Sequence, residues 1–244
     1  MFNIEITNHQ VIKNAFESIS HIVDEITMTA DSEALHMRCL SRDHTQFILL
    51  DLEKTVFDSY QCDTPEKISI DSTELMKVLK TLKSTDILLF NVDDNNLIVT
   101  MKGDAERKFN IRLISLEYEE AQPPIIDLPC NISIGSDLMK DYINDMDIYS
   151  DKLELLVDED YLIIRTDGQM GDAEIKYLHG ENIREAVSSG FGIDKLKDIF
   201  RASKFSQDCT LRIGEDMPLF VTFTLPTGDG KLEFLLAPRL ETEE

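Results

Sequence analysis

The chain is poor in the features that mark secreted, membrane-spanning or nucleotide-driven proteins. Its 244 residues include four cysteines, Cys39, Cys62, Cys130 and Cys209, with no Cys-x-x-Cys spacing. Neither a zinc site nor a redox pair is indicated, and reduced, mostly buried thiols are the expectation. No stretch approaches the roughly 20 consecutive apolar residues of a bilayer span. The opening Met1-Phe-Asn-Ile-Glu-Ile6 alternates as a strand does, with no basic or apolar leader, so the chain is expected to stay inside the cell. No Gly-x4-Gly-Lys-Ser/Thr loop occurs, and Gly168-Gln-Met-Gly171 reads as a hairpin turn rather than a phosphate cradle. His9, His21, His36, His44 and His179 lack the His-Glu-x-x-His spacing of a zinc enzyme. Asp93-Asp94 and Asp158-Glu-Asp160 fall in turns between strands, where solvated carboxylates are the default. An enzyme is not expected, and no metal or cofactor is implied. Basic charge is scarce too: 24 lysines and arginines face 47 acids, for a net charge of −23. Such a balance argues against nucleic acid as a partner unless the few cations are gathered on one surface.

What is present is periodicity, in two copies. Residues 1–6 read as a strand and His9 to Val23 as a helix, because Val11, Ile12, Ala15, Phe16, Ile19 and Ile22 recur on one helical face. Strands are expected at Ile26–Ala30 and Leu35–Leu40 about the turn at Asp31, then at Gln46–Leu52 and Phe57–Cys62. A second helix starts at Asp71 or Ser72 behind a capping signal, with Leu75, Val78, Leu79 and Leu82 as its apolar stripe. Strands follow at Ile87–Val92, Leu97–Met101 and Lys108–Ser115. The stretch from Glu117 to Pro129 holds three prolines and several acids, fits neither helix nor interior strand, and reads as a linker.

The pattern then restarts. Phe2-Asn-Ile-Glu-Ile6 returns as Cys130-Asn-Ile-Ser-Ile134, and the first helix as Leu138, Met139, Tyr142, Ile143, Met146 and Tyr149. An offset of 127 places Ile26, Met28, Ala30 and Asp31 on Leu153, Leu155, Val157 and Asp158. Leu97-Ile-Val-Thr-Met101 matches Leu219-Phe-Val-Thr-Phe223, and Phe109–Leu113 matches Leu232–Leu236. Agreement of element order, helix stripe and strand alternation predicts an internal duplication: residues 1–116, a linker over 117–129, and residues 130–244. Each half is expected to be α+β, with two helices on antiparallel sheet.

The helices also gather the cations. Lys77 and Lys80 lie opposite the stripe of the second helix with Lys83 near its edge, while Lys197, Arg201 and Lys204 follow one face of the fourth. Lys13 adds to this set from the first helix and Lys195 from the fourth. The third helix is discordant, since Asp137, Asp141, Asp145 and Asp147 surround Lys140. Lysines on the polar face of one helix are ordinary solvating charge, but the same choice in both repeats of so acidic a chain favours a basic face set against an acidic rim.

The ending Leu236-Ala-Pro-Arg-Leu240 on a strand stopped by Pro238, with the Met-Phe opening, the Cys62-Asp63 strand end and the proline-rich linker, resembles the DNA sliding clamps of the proliferating cell nuclear antigen family. The resemblance spans the whole chain and is closest in character to archaeal members. It implies a closed homotrimeric ring, replicative DNA polymerase and other replication and repair enzymes as clients, a clamp loader ATPase as partner, and duplex DNA held without sequence readout. DNA-facing residues would be Lys13, Lys77, Lys80, Lys83, Lys140, Lys195, Lys197, Arg201 and Lys204. A pocket for partner peptides would be walled by Leu40, His44, Thr45 and Phe47, by Ala121, Pro123, Pro124 and Leu128 of the linker, and floored by Met217, Pro218, Leu235, Leu236, Ala237 and Pro238. Leu235, opposite Phe234 and Leu236 on an alternating strand, is expected to expose an apolar side that needs a cover. Subunits would join by strand pairing of Lys108, Phe109, Ile111 and Leu113 with Ala173, Ile175, Tyr177 and Leu178. Two alternatives stay open: a subunit of a heterotrimeric or checkpoint-type clamp, and an acidic protein-binding adaptor that does not encircle DNA.

Overall fold

A computed structural model of the chain describes residues 2–116, 122–183 and 185–239. The first repeat runs β1 (Phe2–Ile6), α1 (Gln10–Ile22), β2 (Glu25–Ala30), β3 (Ala34–Leu40), β4 (Gln46–Glu53), β5 (Ser59–Cys62), β6 (Glu66–Asp71), α2 (Ser72–Leu79), β7 (Ile87–Val92), β8 (Asn96–Lys102) and β9 (Glu106–Arg112). The second runs β10 (Cys130–Gly135), α3 (Ser136–Met146), β11 (Lys152–Val157), β12 (Tyr161–Gly168), β13 (Gly171–Leu178), β14 (Val187–Gly192), α4 (Ile193–Ile199), β15 (Asp208–Ile213), β16 (Leu219–Thr224) and β17 (Gly230–Leu236). A 3-10 turn over Phe200–Lys204 extends α4.

Strand order shows the duplication directly. The order β4-β3-β2-β6 in one repeat is matched by β13-β12-β11-β14 in the other, and β1-β7-β8-β9 by β10-β15-β16-β17. Strand β5 on the outer side of β1 has no counterpart among the described residues. The repeated turns share their chemistry as well as their place. Asp31 Oδ1 accepts from the N–H groups of Glu33 and Ala34 at 2.8 and 3.0 Å, and Asp158 Oδ1 from those of Asp160 and Tyr161 at 2.9 and 2.7 Å. A short acidic side chain that captures two orphan amides fixes each β-hairpin at the same step.

Two compact units emerge: Met1–Arg42 with Ile48–Gln122 and Thr224–Leu232, and Asp43–Phe47 with Pro123–Phe223 and Glu233–Glu244. The short segments 43–47 and 224–232 thus belong to the unit built mainly by the other repeat, an exchange that contiguous boundaries at 116 and 130 do not describe. In the first unit α1 packs on α2 over a core that includes Ile4, Ile12, Phe16, Leu75 and Leu79, all under 2% exposed. The second unit centres on an aromatic column in which Phe223 meets Phe200 edge-on at 5.7 Å and Phe234 at 6.1 Å, within the range of favourable aromatic pairs. All four cysteines are buried, and burial pushes the Cys39 and Cys209 thiols up to about 12. Thiolate, the reactive form, is correspondingly suppressed at both.

The strand expected over 108–115 stops at Arg112, because Leu113 and Ile114 turn their amides to Asn95 O and Ser69 O at 2.8 and 2.9 Å. Strand β6 has no counterpart in the expectation from sequence. Its short Ile68–Ile70 alternation runs directly into the cap of α2 and offers no separate boundary signal.

Candidate functional site

In the first unit the helical cations rest on a rigid base. Helix α1 buries Val11, Ile12, Ala15, Phe16 and Ile19 and leaves Lys13 half-buried on its other side. Helix α2 begins where Asp71 accepts from the N–H groups of Thr73 and Glu74 at 2.8 and 3.0 Å. These bonds hold the Asp71 carboxyl below its ordinary range, the Thr73 hydroxyl contributing most. Lys77 and Lys80 point outward, Lys77 toward Glu74 at 2.5 Å.

The turn that follows, residues 80–86, is stapled from three sides. Lys83 N donates to Asp86 Oδ2 at 2.7 Å, His9 Nε2 lies 3.0 Å from Lys83 O, and Arg107 Nη1 donates to Thr81 O at 2.9 Å. Arg107 also pairs with Asp86, which is 2% exposed. The Lys83 amide, with Arg107 beside it, holds the Asp86 carboxyl below its usual range. A side chain at Gly103 would collide with Asp86, its Cβ falling 2.2 Å from Oδ1, so the close approach requires glycine there. Lys83 reaches Asp104 at 3.6 Å. Sequence reasoning found the lysines and missed the staple, whose signal is an aspartate three residues after Lys83 and an arginine 21 residues further on.

In the second unit four of the five predicted cations are met by acids of the same unit. Lys197 Nζ lies 2.5 Å from Asp147, Lys204 Nζ 2.5 Å from Asp137, Arg201 3.2 Å from Asp198, and Lys195 Nζ 2.6 Å from Asp43. Lys140 Nζ is 3.5 Å from Ser203 Oγ. The expected inward set of the fourth helix is observed, with Leu196, Ile199, Phe200 and Ser203 all buried. Among the described residues neither Lys13 nor Lys80 has an ion-pair partner, so the two helix pairs differ in how much of their positive charge is already met.

The pocket residues divide into open and covered ones. His44 adopts a left-handed backbone at φ 58°, and Asp43 accepts from Thr45 N and Oγ1 at 3.2 and 2.8 Å, which shapes a tight loop before β4. Ala237 N donates to Thr45 O at 2.8 Å, bringing this loop alongside the end of β17. His44 is exposed, and Thr45, Ala237 and Pro238 are half-buried. Leu128 lies beside Met217 across Gly214, where an added Cβ would fall 2.8 Å from Leu128 Cδ2 and 3.1 Å from Met217 Sδ. Pro123 and Pro218 are half-buried, and Pro124 is exposed. Leu40 and Met217 are exposed at 37% and 41%. Ala121 lies outside the described residues. The expectation that Leu235 presents an open apolar side is corrected: it is 4% exposed, as Leu236 and Phe47 are buried, because the 43–47 segment runs beside this strand end. Ile125, fully exposed and apolar, was missed, and only its place in the linker marks it.

Strands β9 and β13 are both edges of their sheets. On β13, Ala173, Ile175 and Tyr177 are half-buried and Leu178 is exposed; on β9, Lys108 is exposed, Phe109 half-buried and Ile111 buried. Leu113 lies beyond the strand end. The two edges differ in sign, β9 carrying Arg107, Lys108 and Arg112 against Glu106, and β13 carrying Asp172 and Glu174 against Lys176.

The family model described as proliferating cell nuclear antigen, N-terminal domain, matches residues 1–122. The whole chain is 47% identical to a DNA polymerase sliding clamp of Methanobrevibacter smithii, all of each chain being covered. This chain belongs to the proliferating cell nuclear antigen family of sliding clamps. A second relative, the DNA polymerase sliding clamp of Methanothermobacter thermautotrophicus, is 43% identical, again with both chains fully covered. Among solved structures, that of PCNA from Thermococcus kodakaraensis superposes with a TM-score of 0.93 over 98% of this chain and all of the other, at 21% identity. At that identity the likeness speaks for the clamp fold alone. Among the described residues no helix is long and apolar enough to cross a membrane.

Proposed function

We propose that this clamp chain forms a homotrimeric ring that encircles duplex DNA and tethers replicative DNA polymerase and other DNA-processing enzymes to it, without catalysis of its own. The carrying observation is relatedness to DNA polymerase sliding clamps at up to 47% identity over the full length of both chains. The helical cations would meet phosphates without reading bases, as required of a protein that slides over any sequence. Head-to-tail pairing of β9 with β13 of a second copy would remove two unpaired edges, and the opposite signs of those edges support it. Because such pairing is heterologous, it ends only when a ring closes.

Partners, including a clamp loader ATPase, would dock short peptides against the exposed part of the 43–45 loop, Met217, Ala237 and Pro238, and residues 117–129 would serve as the connecting linker. The protein would work in the cytoplasm on chromosomal DNA. Light scattering across a dilution series tests the assembly. Three times 27.9 kDa, about 84 kDa, is the expected mass. A persistent single-chain mass would favour a heteromeric clamp or an adaptor.

A further inference from the structure

The helices of the two units carry different charge. The segments 10–22 and 72–83 hold four lysines against two glutamates, whereas 136–147 and 193–204 hold five cations against six aspartates. Pairing in the second unit is also organised. Two bridges, from Asp147 at the C-terminal end of α3 to Lys197 of α4 and from Asp137 in the first turn of α3 to Lys204 of the 3-10 extension, join residues 50 and 67 apart in sequence. Asp137 is held as a carboxylate first by Lys204 and then by Ser203, so it is fully charged at neutral pH. Asp141 and Asp145 stand exposed on the same helix.

We infer that Asp137 and Asp147, in the first turn and at the C-terminal end of α3, act as built-in counterions that occupy Lys197 and Lys204, so that phosphate contact is carried mainly by Lys13 and Lys80 of the first unit, Lys140 being the one predicted cation of the second without an ion-pair partner among the described residues. The inference rests on the clamp reading and specifies which of its cations hold DNA. A phosphate approaching Lys197 or Lys204 must displace a carboxylate already 2.5 Å from the ammonium. It also approaches the remaining negative charge of α3. Exposed pairs of this kind are individually weak, so the carboxylates are displaceable and their effect is graded. Binding at Lys13 or Lys80 displaces no carboxylate of the described residues, only condensed counterions of DNA, which is the process that makes affinity salt-dependent. The consequence is a ring whose grip on DNA is weakened on one helix pair of each subunit, while closure around the duplex does the holding.

The test is equilibrium binding of a short linear duplex by fluorescence anisotropy over a series of salt concentrations, using the assembled protein. Freeing Lys197 and Lys204 with the pair Asp137→Asn and Asp147→Asn is expected to raise affinity several-fold. It should also steepen the log–log salt dependence by up to about 0.9 for each cation freed. In that background, Lys197→Gln with Lys204→Gln should abolish the gain, whereas in the natural sequence the same lysine changes should alter binding little. An unchanged slope in the aspartate variant overturns the inference, and so does a gain that survives loss of the two lysines, since removal of acid alone would then explain it. Unchanged melting of each variant keeps the comparison on binding. Polymerase stimulation on a primed circle is read separately: its absence in the natural protein would fail the clamp reading, whereas a normal clamp with a flat aspartate response would fail only this inference.

Discussion

The two units repeat one strand order, yet each fixes its helices by different means. In the first, α2 is capped by Asp71 and its trailing turn is held by buried Asp86 with Arg107 and His9. In the second, α3 and α4 start behind Gly135 and Gly192 with no side-chain cap, ion pairs link α3 to α4 and its 3-10 extension, and the core holds an aromatic column. Duplication therefore conserved the layout while the polar chemistry at the helix ends diverged. Backbone pairing and apolar alternation set the layout, and many different caps and pairs are compatible with it.

The comparison breaks most strongly in the second core. Phe223→Ala should cost about 3–5 kcal/mol in chemical denaturation, because two edge-on ring contacts are lost along with a large buried volume. Asp86→Ala in the first unit should cost less, about 1–3 kcal/mol, by leaving the Lys83 amide without its acceptor and Arg107 without its carboxylate partner. Neutralising Lys13 and Lys80 to Gln should flatten the salt dependence of duplex binding by about 1.8 in log–log slope, and neutralising Lys197 and Lys204 by well under 1. Equal losses would erase the proposed difference between the helix pairs.

The smallest effect concerns the cap. Asp71→Ala should cost about 1 kcal/mol, whereas Asp71→Asn should cost little, since Asn caps as well. The pH response separates the two carboxyl roles. The folded-state value of Asp71 is lowered, so its contribution is present above the ordinary carboxylate value near 4 and lost as pH falls through the folded value. The Asn variant should therefore show a shallower decline in melting temperature in that acid range than the natural protein.

Local rules made much of this legible. The α2 cap, the stripes of α1 and α4, and the Asp31 and Asp158 turns all follow from residues a few positions apart, and a repeat lets one half vouch for the other. What escaped depends on distant partners. Nothing near Lys83 announces Arg107, and nothing near Lys197 announces Asp147, 50 residues away. Leu235 was misread for a related reason: alternation gives the two faces of a strand, but only its neighbours decide whether both are covered. The segment exchange between units is likewise a product of pairing at a distance, invisible to any window along the chain.

The central claim, a ring that holds DNA by closure around it more than by affinity, is tested most directly by loading the protein onto DNA that is either a closed circle or the same molecule linearised, then measuring what stays bound after dilution into moderate salt. Retention on the circle with rapid loss from the linear form is the predicted result. Equal retention on both, or equal loss from both, would contradict it.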